Sequence, residues 1–300
     1  MNKIQTGFLV SYDYEFLKKS LPPVYEDSDT IFLAIDHLRR TWKGNTYDID
    51  QSFFDWIKEI DVDKKIVIYE DDFYVPDLNA IQNDTRERYM LGLKMGVGNW
   101  MIQVDSDEIF IDFKGFVKQL RKYDSYLKTP EKNPIQFAAF HINVYKYLEN
   151  GILYIDNPTK FYIATNYPNY KYAKNTRERI VYLDSYVLHE GLARTEEELR
   201  FKLKNWGHQH EINDSFLDKW LKVDETNYSE MEDFFYLDPK TWKKLGYFPS
   251  LNLVELRKLI LNDEALKKSN FWLIKKNFGQ WFKHSKISKP TKKVYFEKYF

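Results

Sequence analysis

The stretch that decides the fold is "NWMIQVDSDEIFIDF", residues 99–113. Its apolar run breaks at Asp105 to Glu108 and resumes at Ile109. Alternate residues of an extended segment project to the same face, so Asp105 and Asp107 are expected to point together. The spacing Asp-x-Asp occurs four times in the chain, but only this copy lies directly between two apolar runs. We therefore predict a strand that ends in a pair of carboxylates.

Three similar runs precede it, and each ends in an acid or a polar turn: "TGFLVSYD", "TIFLAID" and "KIVIYE". The segments between them are long enough to be helices, and "TRERYMLGLKMGVG" is one, with Asp84 or Thr85 as its N-cap. This alternation predicts β-α-β units and an α/β fold with a Rossmann-like, mainly parallel central sheet flanked by helices. Such sheets bind ligands at the carboxyl ends of their strands, where Asp36, Glu70 and Asp105 stand.

Paired carboxylates on one face suit a hard divalent cation. Mg²⁺ or Mn²⁺ is commonly held by one or two carboxylates and completes its shell with water and phosphate oxygens. The alternative is a structural turn at the end of the strand, in which the acids accept hydrogen bonds from neighbouring amides. The first reading predicts a site for a metal and a diphosphate.

Composition excludes several classes of function. Lysine plus arginine equals aspartate plus glutamate at 45 each, so no net field steers the protein to nucleic acid, and we expect no nucleic-acid partner. The chain has no cysteine, which excludes disulfides, thiolate zinc sites and cysteine nucleophiles. The first apolar run, Phe8 to Val10, is too short for a signal peptide or a membrane span, so we expect a cytoplasmic protein.

The middle of the chain continues the sheet. Strands are predicted at "PIQFAAFHINVY", "GILYID", "KFYIAT" and "RIVYLDSYVLHE", as additions that build an acceptor-side wall. The period becomes helical from "TEEELRFKLKNW", with Thr195 and Glu198 as a capping box. A helical extension is expected from there to the end.

A second group of polar residues falls in 184–211: His189, Glu190, His208, His210 and Glu211. The histidines of "WGHQH" are also explained by a helix end at Gly207, where the helix dipole favours them. The spacing H-E-x-x-H is absent from the sequence, which argues against a zinc hydrolase.

The ordered set "VSYDYEFLKKSL", "TIFLAIDHLRRTW", "KIVIYEDDF" and "TRERYMLGLKMGVGNWMIQVDSDEIF" resembles the nucleotide-sugar-binding half of a family 2 glycosyltransferase with the GT-A fold. The resemblance covers about residues 5–115 and, more loosely, residues up to 210. It implies a GT-A domain over 1–210, with a donor half (1–115) and an acceptor half (116–210), followed by a helical, basic and aromatic extension over 211–300.

The same resemblance implies an activity. The protein would move a single sugar from a nucleotide-sugar donor, most simply a UDP-sugar, to a glycan or lipid-linked acceptor, with inversion, in surface polysaccharide synthesis. The first strand carries "SYDY" where the family has P-x-Y/F-N, and the Q-x-x-R-W motif of processive members is absent. The second departure favours transfer of one sugar over polymer synthesis.

Roles for single residues also follow from the resemblance. Asp36 would contact the base or ribose, Asp105 the donor sugar or ribose and the metal, and Asp107 the metal. Ser11 or Tyr12 would make the donor contact of the first strand, and Glu70 would line the donor site because it stands at the end of its own predicted strand. Arg86 or Arg88 would lie near the diphosphate, a role that suits the arginine fork. The alternative for these arginines is ion pairing with Glu87 or Asp84.

The second group supplies the remaining roles. The resemblance implies that a histidine completes the metal shell, with His189 as first choice and His208 as second. Glu190 is the candidate base that takes the proton of the acceptor hydroxyl, and Asp156 or Asp184 are alternatives.

The C-terminal segment is basic, since ten lysines face only Glu297 from residue 265 onward. Aromatic residues lie between them, a pattern that predicts contact with an anionic membrane at its inner face, although an ordinary packed helix with solvated lysines has the same composition.

Two other functions of the protein remain open. A nucleotidyltransferase would favour a glycine-rich loop after the first strand, and "SYDYEFLKK" has no glycine. A non-enzymatic carbohydrate-binding protein would use the many aromatic residues.

Overall fold

The computed structural model describes residues 3–205 and 215–285. The strands of this part are β1 (Ile4–Val10), β2 (Thr30–Asp36), β3 (Ile66–Asp71), β4 (Trp100–Asp105), β5 (Glu108–Phe110), β6 (Ile135–Leu148), β7 (Gly151–Ile155), β8 (Thr159–Thr165), β9 (Arg179–His189) and β10 (Leu245–Phe248). Its helices are α1 (Leu17–Ser20), α2 (Pro22–Tyr25), α3 (Gln51–Ile60), α4 (Ala80–Met95), α5 (Phe113–Arg121), α6 (Glu196–Asn205), α7 (Ser215–Lys222), α8 (Leu253–Asn262) and α9 (Asn270–His284).

The chain forms two compact units. The described part of the first unit is 3–139, 161–185 and 268–285, and that of the second is 140–160, 186–205 and 215–267. Each unit is built from segments that are distant in sequence. The predicted donor and acceptor halves divide the chain at 115 and 210 instead, so they do not coincide with the units and stay a functional prediction.

The parallel edge predicted from the sequence is confirmed in the first unit. Strands β3, β2, β1 and β4 lie side by side in that order, and every neighbouring pair is parallel. Strand β8 pairs with β4 in the antiparallel direction. In the second unit, β7 is antiparallel to both β6 and β10.

The fold is therefore α/β with a mixed sheet, and the prediction of a mainly parallel sheet is wrong beyond this edge. The connection between β6 and β7 shows why, because Leu148 and Gly151 are paired with only two residues between them. A connection so short joins only antiparallel strands.

Helix α4 covers the parallel edge. Leu91 and Met95 pack with Leu9 and Met101 of β1 and β4 in one buried cluster. Helix and strand approach closely at Gly7, where a Cβ atom would lie 2.9 Å from the Leu91 side chain. A larger residue at this position would require the side chains of Leu91 and Met95 to shift.

The start of α4 differs from its prediction. The N-cap is Asn79, which forms a capping box with Gln82, whereas Asp84 and Thr85 lie inside the helix. The polar residues of this turn look like an N-cap in the sequence, but they are buried within the helix and form contacts to other parts of the chain. Asn83 is fully buried and hydrogen-bonds to the main chain of Trp42, Val75 and Leu78, which ties two loops to the helix.

The second unit has its own core, with Tyr145, Phe216, Trp220 and Phe234 among its buried members. The capping box of α6 is confirmed, because Glu198 N donates to Thr195 Oγ1 and Thr195 N donates to Glu198 Oε2. Apolar side chains of both α6 and α7 pack into this core.

The predicted helical extension contains a strand. Strand β10 pairs with β7, and the pairing depends on two glycines. A Cβ at Gly246 would lie 2.4 Å from Tyr154 Cζ, and one at Gly151 would lie 2.3 Å from Phe248 O. The prediction that 211–300 is wholly helical is therefore wrong at 245–248.

Among the helices of the described residues, none is both long enough and apolar enough to span a bilayer.

Candidate functional site

The turn between β4 and β5 is buried and internally anchored. Asp105 N donates to Glu108 Oε2 at 2.9 Å, and Ser106 Oγ donates to Leu9 O of β1 at 3.0 Å. Ser106, Asp107 and Glu108 are all buried. The apolar runs on both sides thus form strands, and the acids between them are held at the carboxyl edge of the parallel strands.

Two cations neutralise Asp105. Arg88 Nη2 donates to its Oδ1 at 2.9 Å, and Lys174 Nζ lies 3.1 Å from its Oδ2. Lys174 also pairs with Glu108 at 2.5 Å. Burial alone would raise the pKa of Asp105, but Arg88 and Lys174 hold that pKa well below its usual value. Asp105 is therefore ionised at neutral pH, and both its oxygens are engaged within the first unit.

Arg88 binds a second carboxylate from its own helix. Its Nε donates to Asp84 Oδ1 at 2.6 Å, and the residue is 2% exposed. The pKa of Arg88 is raised because the attraction of Asp105 and Asp84 outweighs burial, which acts to lower it. The ion pair with Asp84, which the sequence left as an alternative to phosphate binding, is present, but in a buried setting.

Arg86, the other predicted phosphate contact, is engaged with main-chain carbonyls. Its Nη1 donates to Asp72 O at 2.6 Å and to Phe73 O at 2.9 Å. It thereby holds the loop that follows β3 against α4. The diphosphate role of either arginine stays a prediction.

Asp36 is buried at the end of β2 and joins two loops. Its Oδ1 accepts from Arg40 Nε at 2.9 Å, and its Oδ2 accepts from Arg40 Nη2 at 2.9 Å and Phe73 N at 3.1 Å. Burial would raise the pKa of Asp36, but the hydrogen bonds from Arg40 lower it below its usual value. Asp36 thus fixes the positions of the two loops at the carboxyl edge.

The exposed rim beside Asp36 is also charged. One ligand atom from each of Asp36, His37 and Asp72 lies within 4.8 Å of the others, a spacing that a cation could bridge. Arg40 also pairs with Asp72, so this group is already compensated by an internal cation. Glu70, the other predicted strand-end acid, forms a 2.5 Å ion pair with Arg39.

Ser11 follows β1 at the same edge and is near Tyr47. The Tyr47 hydroxyl donates to Val10 O at 3.1 Å, and burial together with the charge of Glu87 raises the Tyr47 pKa. Tyr47 is therefore a neutral hydrogen-bond donor at the end of β1.

Sequence reasoning missed several members of this edge. Glu87 is buried on α4 and accepts a hydrogen bond from Trp42 Nε1 at 2.6 Å, and burial raises its pKa to about 8. No local sequence pattern predicts the contact between Glu87 and Trp42 or the contacts of Lys174, because the partners are distant in the chain. The ion pair of Arg40 could have been predicted, since "IDHLRR" places an acid and an arginine four residues apart at the end of a strand.

His189 and Glu190 lie in the second unit at the end of β9. His189 Nδ1 hydrogen-bonds to Asn143 Oδ1 at 2.9 Å, while Asn143 Nδ2 donates to Thr159 Oγ1 at 3.0 Å. With this orientation of the amide, Nδ1 is the donor of the hydrogen bond between His189 and Asn143. The ring also stacks on His141 with centroids 4.6 Å apart.

Glu190 is buried beside Tyr147, whose hydroxyl donates to Glu190 Oε1. Burial and the charge of Glu190 raise the pKa of Tyr147, so the phenol stays protonated as a donor. The alternative bases Asp156 and Asp184 are exposed, which makes them less preorganised than Glu190. His208 lies outside the described residues.

Comparisons with known proteins are weak. The chain matches no protein-family model, and no curated protein matches it either. Two solved structures are similar in part. S. aureus TarS (1–349) is 12% identical with a TM-score of 0.27, over 47% of this chain and 35% of that chain. Mannose-6-phosphate isomerase from Helicobacter pylori is 13% identical with a TM-score of 0.31, over 52% of this chain and 56% of that chain. Likeness at this level carries no argument about function.

Proposed function

We propose that this protein is a metal-dependent glycosyltransferase that moves one sugar from a nucleotide-sugar donor, most simply a UDP-sugar, to a glycan or lipid-linked acceptor. The observation that carries the proposal is the turn after β4, in which Asp107 is buried and Asp105 is partly exposed, at the carboxyl edge of four parallel strands. Ligands bind at this edge in open α/β sheets. The resemblance to family 2 glycosyltransferases supplies the reaction class, including inversion and a place in surface polysaccharide synthesis.

The donor set fits Mn²⁺ or Mg²⁺. Asp105 and Asp107 are both carboxylates of this turn, and carboxylate oxygens are the ligands that these cations prefer. We propose Asp105 and Asp107 as the metal ligands at this turn; the role of His189 in the metal shell stays a prediction from the resemblance. A bound cation would neutralise charge on the diphosphate leaving group.

Arg88 has one unused donor. Its Nη1 is buried and finds no acceptor among the described residues. Buried donors are nearly always paired, so an oxygen of the donor substrate beside Asp105 would satisfy it. This supports the predicted role near the diphosphate, with the ion pairs to Asp84 and Asp105 fixing the guanidinium in place.

Glu190 is the proposed base. Its carboxylate would take the proton of the acceptor hydroxyl as that oxygen attacks the anomeric carbon. The hydrogen bond from the Tyr147 hydroxyl to Glu190 Oε1 limits rotation of the Glu190 carboxylate. Positioning and charge stabilisation would provide most of the rate, because the reaction needs two substrates held in line.

A thermal-shift screen tests the proposal. Nucleoside diphosphates and sugar nucleotides are added with Mn²⁺ or with EDTA, since a ligand of the folded state raises the melting temperature. We expect stabilisation by a uridine or another nucleoside diphosphate that depends on Mn²⁺. Stabilisation by glycans alone would indicate a carbohydrate-binding protein, and stabilisation only by a nucleoside triphosphate would indicate a nucleotidyltransferase.

A matched pair of variants localises the effect. Asp107→Asn should abolish the Mn²⁺-dependent shift without unfolding the protein. Asp63→Asn makes the same change in another Asp-x-Asp pair, at an exposed carboxylate, and should behave as the unaltered protein. Equal loss in both variants would contradict a site at Asp107.

A further inference from the structure

Helix α9 is fixed to the first unit by one of its faces. Leu273 is buried, and Asn277 exchanges two hydrogen bonds with the main chain of Tyr182, at 2.8 and 3.0 Å. Gln280 Oε1 accepts from Ile180 N at 3.4 Å. Leu273, Asn277 and Gln280 are spaced by four and three residues, so they share one side of the helix.

Another face of α9, centred about 120° around the helix from the anchored one, is apolar and exposed. The exposed fractions are 75% for Phe271, 68% for Ile274, 63% for Phe278, 47% for Trp281 and 53% for Phe282. Because a helix turns by about 100° per residue, these five side chains form one stripe about 100° wide. Single exposed apolar residues are normal, but a continuous aromatic stripe marks an interaction surface.

The positive charge of α9 and its neighbouring sequence indicates which kind of partner the apolar stripe binds. Lys275, Lys276 and Lys283 are exposed on the same helix, and residues 265–296 contain nine lysines and no aspartate or glutamate. A second copy of this segment would bring two strongly basic segments together, which like-charge repulsion disfavours. The surface that matches both the stripe and its charge is a bilayer with anionic lipids.

We propose that this face of α9 binds an anionic membrane surface. The five apolar side chains enter the boundary between headgroups and acyl chains. Lys275, which borders the stripe, contacts lipid phosphates, and Lys276 and Lys283 on the far side of the helix add to the positive field above the membrane. The helix lies parallel to the surface because its other face is held by Tyr182 and Ile180. This binding requires neither a nucleotide nor a metal, so it stands apart from the proposed function.

Flotation with lipid vesicles tests the proposal on the full chain. We expect the protein to float with vesicles of phosphatidylcholine and phosphatidylglycerol in equal parts, to float far less with phosphatidylcholine alone, and to be released by about 1 M salt. Substituting Phe278→Glu together with Trp281→Glu should weaken binding at least about tenfold, since two apolar anchors are lost.

Two further variants keep the test decisive. Replacing Lys275, Lys276 and Lys283 by Gln should weaken binding at least about fivefold, because Lys275 borders the stripe and the other two lysines act from farther away. The matched control is Val62→Glu, an equally exposed apolar residue at 78% in the turn after α3, and it should float as the unaltered protein. All these side chains are exposed, so circular dichroism should show an unchanged fold.

Three results would overturn the proposal. One is failure of the unaltered protein to float with the anionic vesicles. Another is equal flotation of the unaltered protein and the lysine variant, which decides the matter even where the Phe278 variant does not fold. The third is sedimentation of the unaltered protein as a dimer that Phe278→Glu converts to a monomer, since the face would then be a protein interface.

Discussion

Glu87 makes the stability of the first unit depend on pH. Its folded pKa of about 8, caused first by burial, compares with 4.5 for an ordinary glutamate. Between these two values the folded state holds a proton that the unfolded chain releases, so stability falls as pH rises. The interval is about 3.5 pH units, which at 1.36 kcal/mol per unit corresponds to about 5 kcal/mol.

The change Glu87→Gln removes this dependence. A glutamine oxygen can still accept the hydrogen bond from Trp42 Nε1, so the two proteins should differ in unfolding free energy by less than about 1 kcal/mol at pH 5. At pH 8.5 the variant should be more stable by about 4 kcal/mol, because only the unaltered protein must bury a charge.

Urea unfolding between pH 5 and 8.5, followed by far-ultraviolet circular dichroism, measures this difference. The control Glu59→Gln changes an exposed glutamate of α3 and should stay within about 0.5 kcal/mol of the unaltered protein at every pH. Parallel curves for Glu87→Gln and the unaltered protein would refute the assignment of a protonated, buried Glu87.

Three further changes test other parts of the structure. Arg88→Met leaves buried carboxylates without their cation and should lower the unfolding free energy by about 3–5 kcal/mol in urea, where the exposed Lys58→Met changes little. Gly279→Ala meets nothing within 4 Å on α9 and should raise that free energy by about 0.5–1 kcal/mol, seen as a higher melting temperature. Gly191→Ala puts a Cβ 2.8 Å from the His189 ring and should move the imidazole resonances of His189 in NMR spectra; unchanged resonances would contradict the packing.

Local patterns determined which strands could be predicted. The runs "TIFLAID" and "WMIQVD" coincide with β2 and β4 residue for residue, because each is a mainly apolar run that ends in an acid. Their parallel pairing followed from the helical segments between them. The start of α4 was missed because Asn83 and Asp84 are polar yet buried, and the sequence alone does not separate such residues from a cap.

The site was predictable only in part, for a related reason. Asp105 and Asp107 stand out from their place between two apolar runs, whereas their environment comes from distant residues. Lys174 lies 66 residues from Glu108 in the chain, and no hydrophobic periodicity or sequence motif predicts that contact. The engagement of both Asp105 oxygens is therefore visible only in the folded chain.

The most direct test of the central claim is calorimetric titration of UDP into the protein with and without Mn²⁺. The account predicts binding that requires Mn²⁺, that is lost in Asp107→Asn and that is kept in Asp63→Asn. UDP binding of equal strength with EDTA present, or unchanged Mn²⁺-dependent binding by Asp107→Asn, would contradict a metal and diphosphate site at the end of β4.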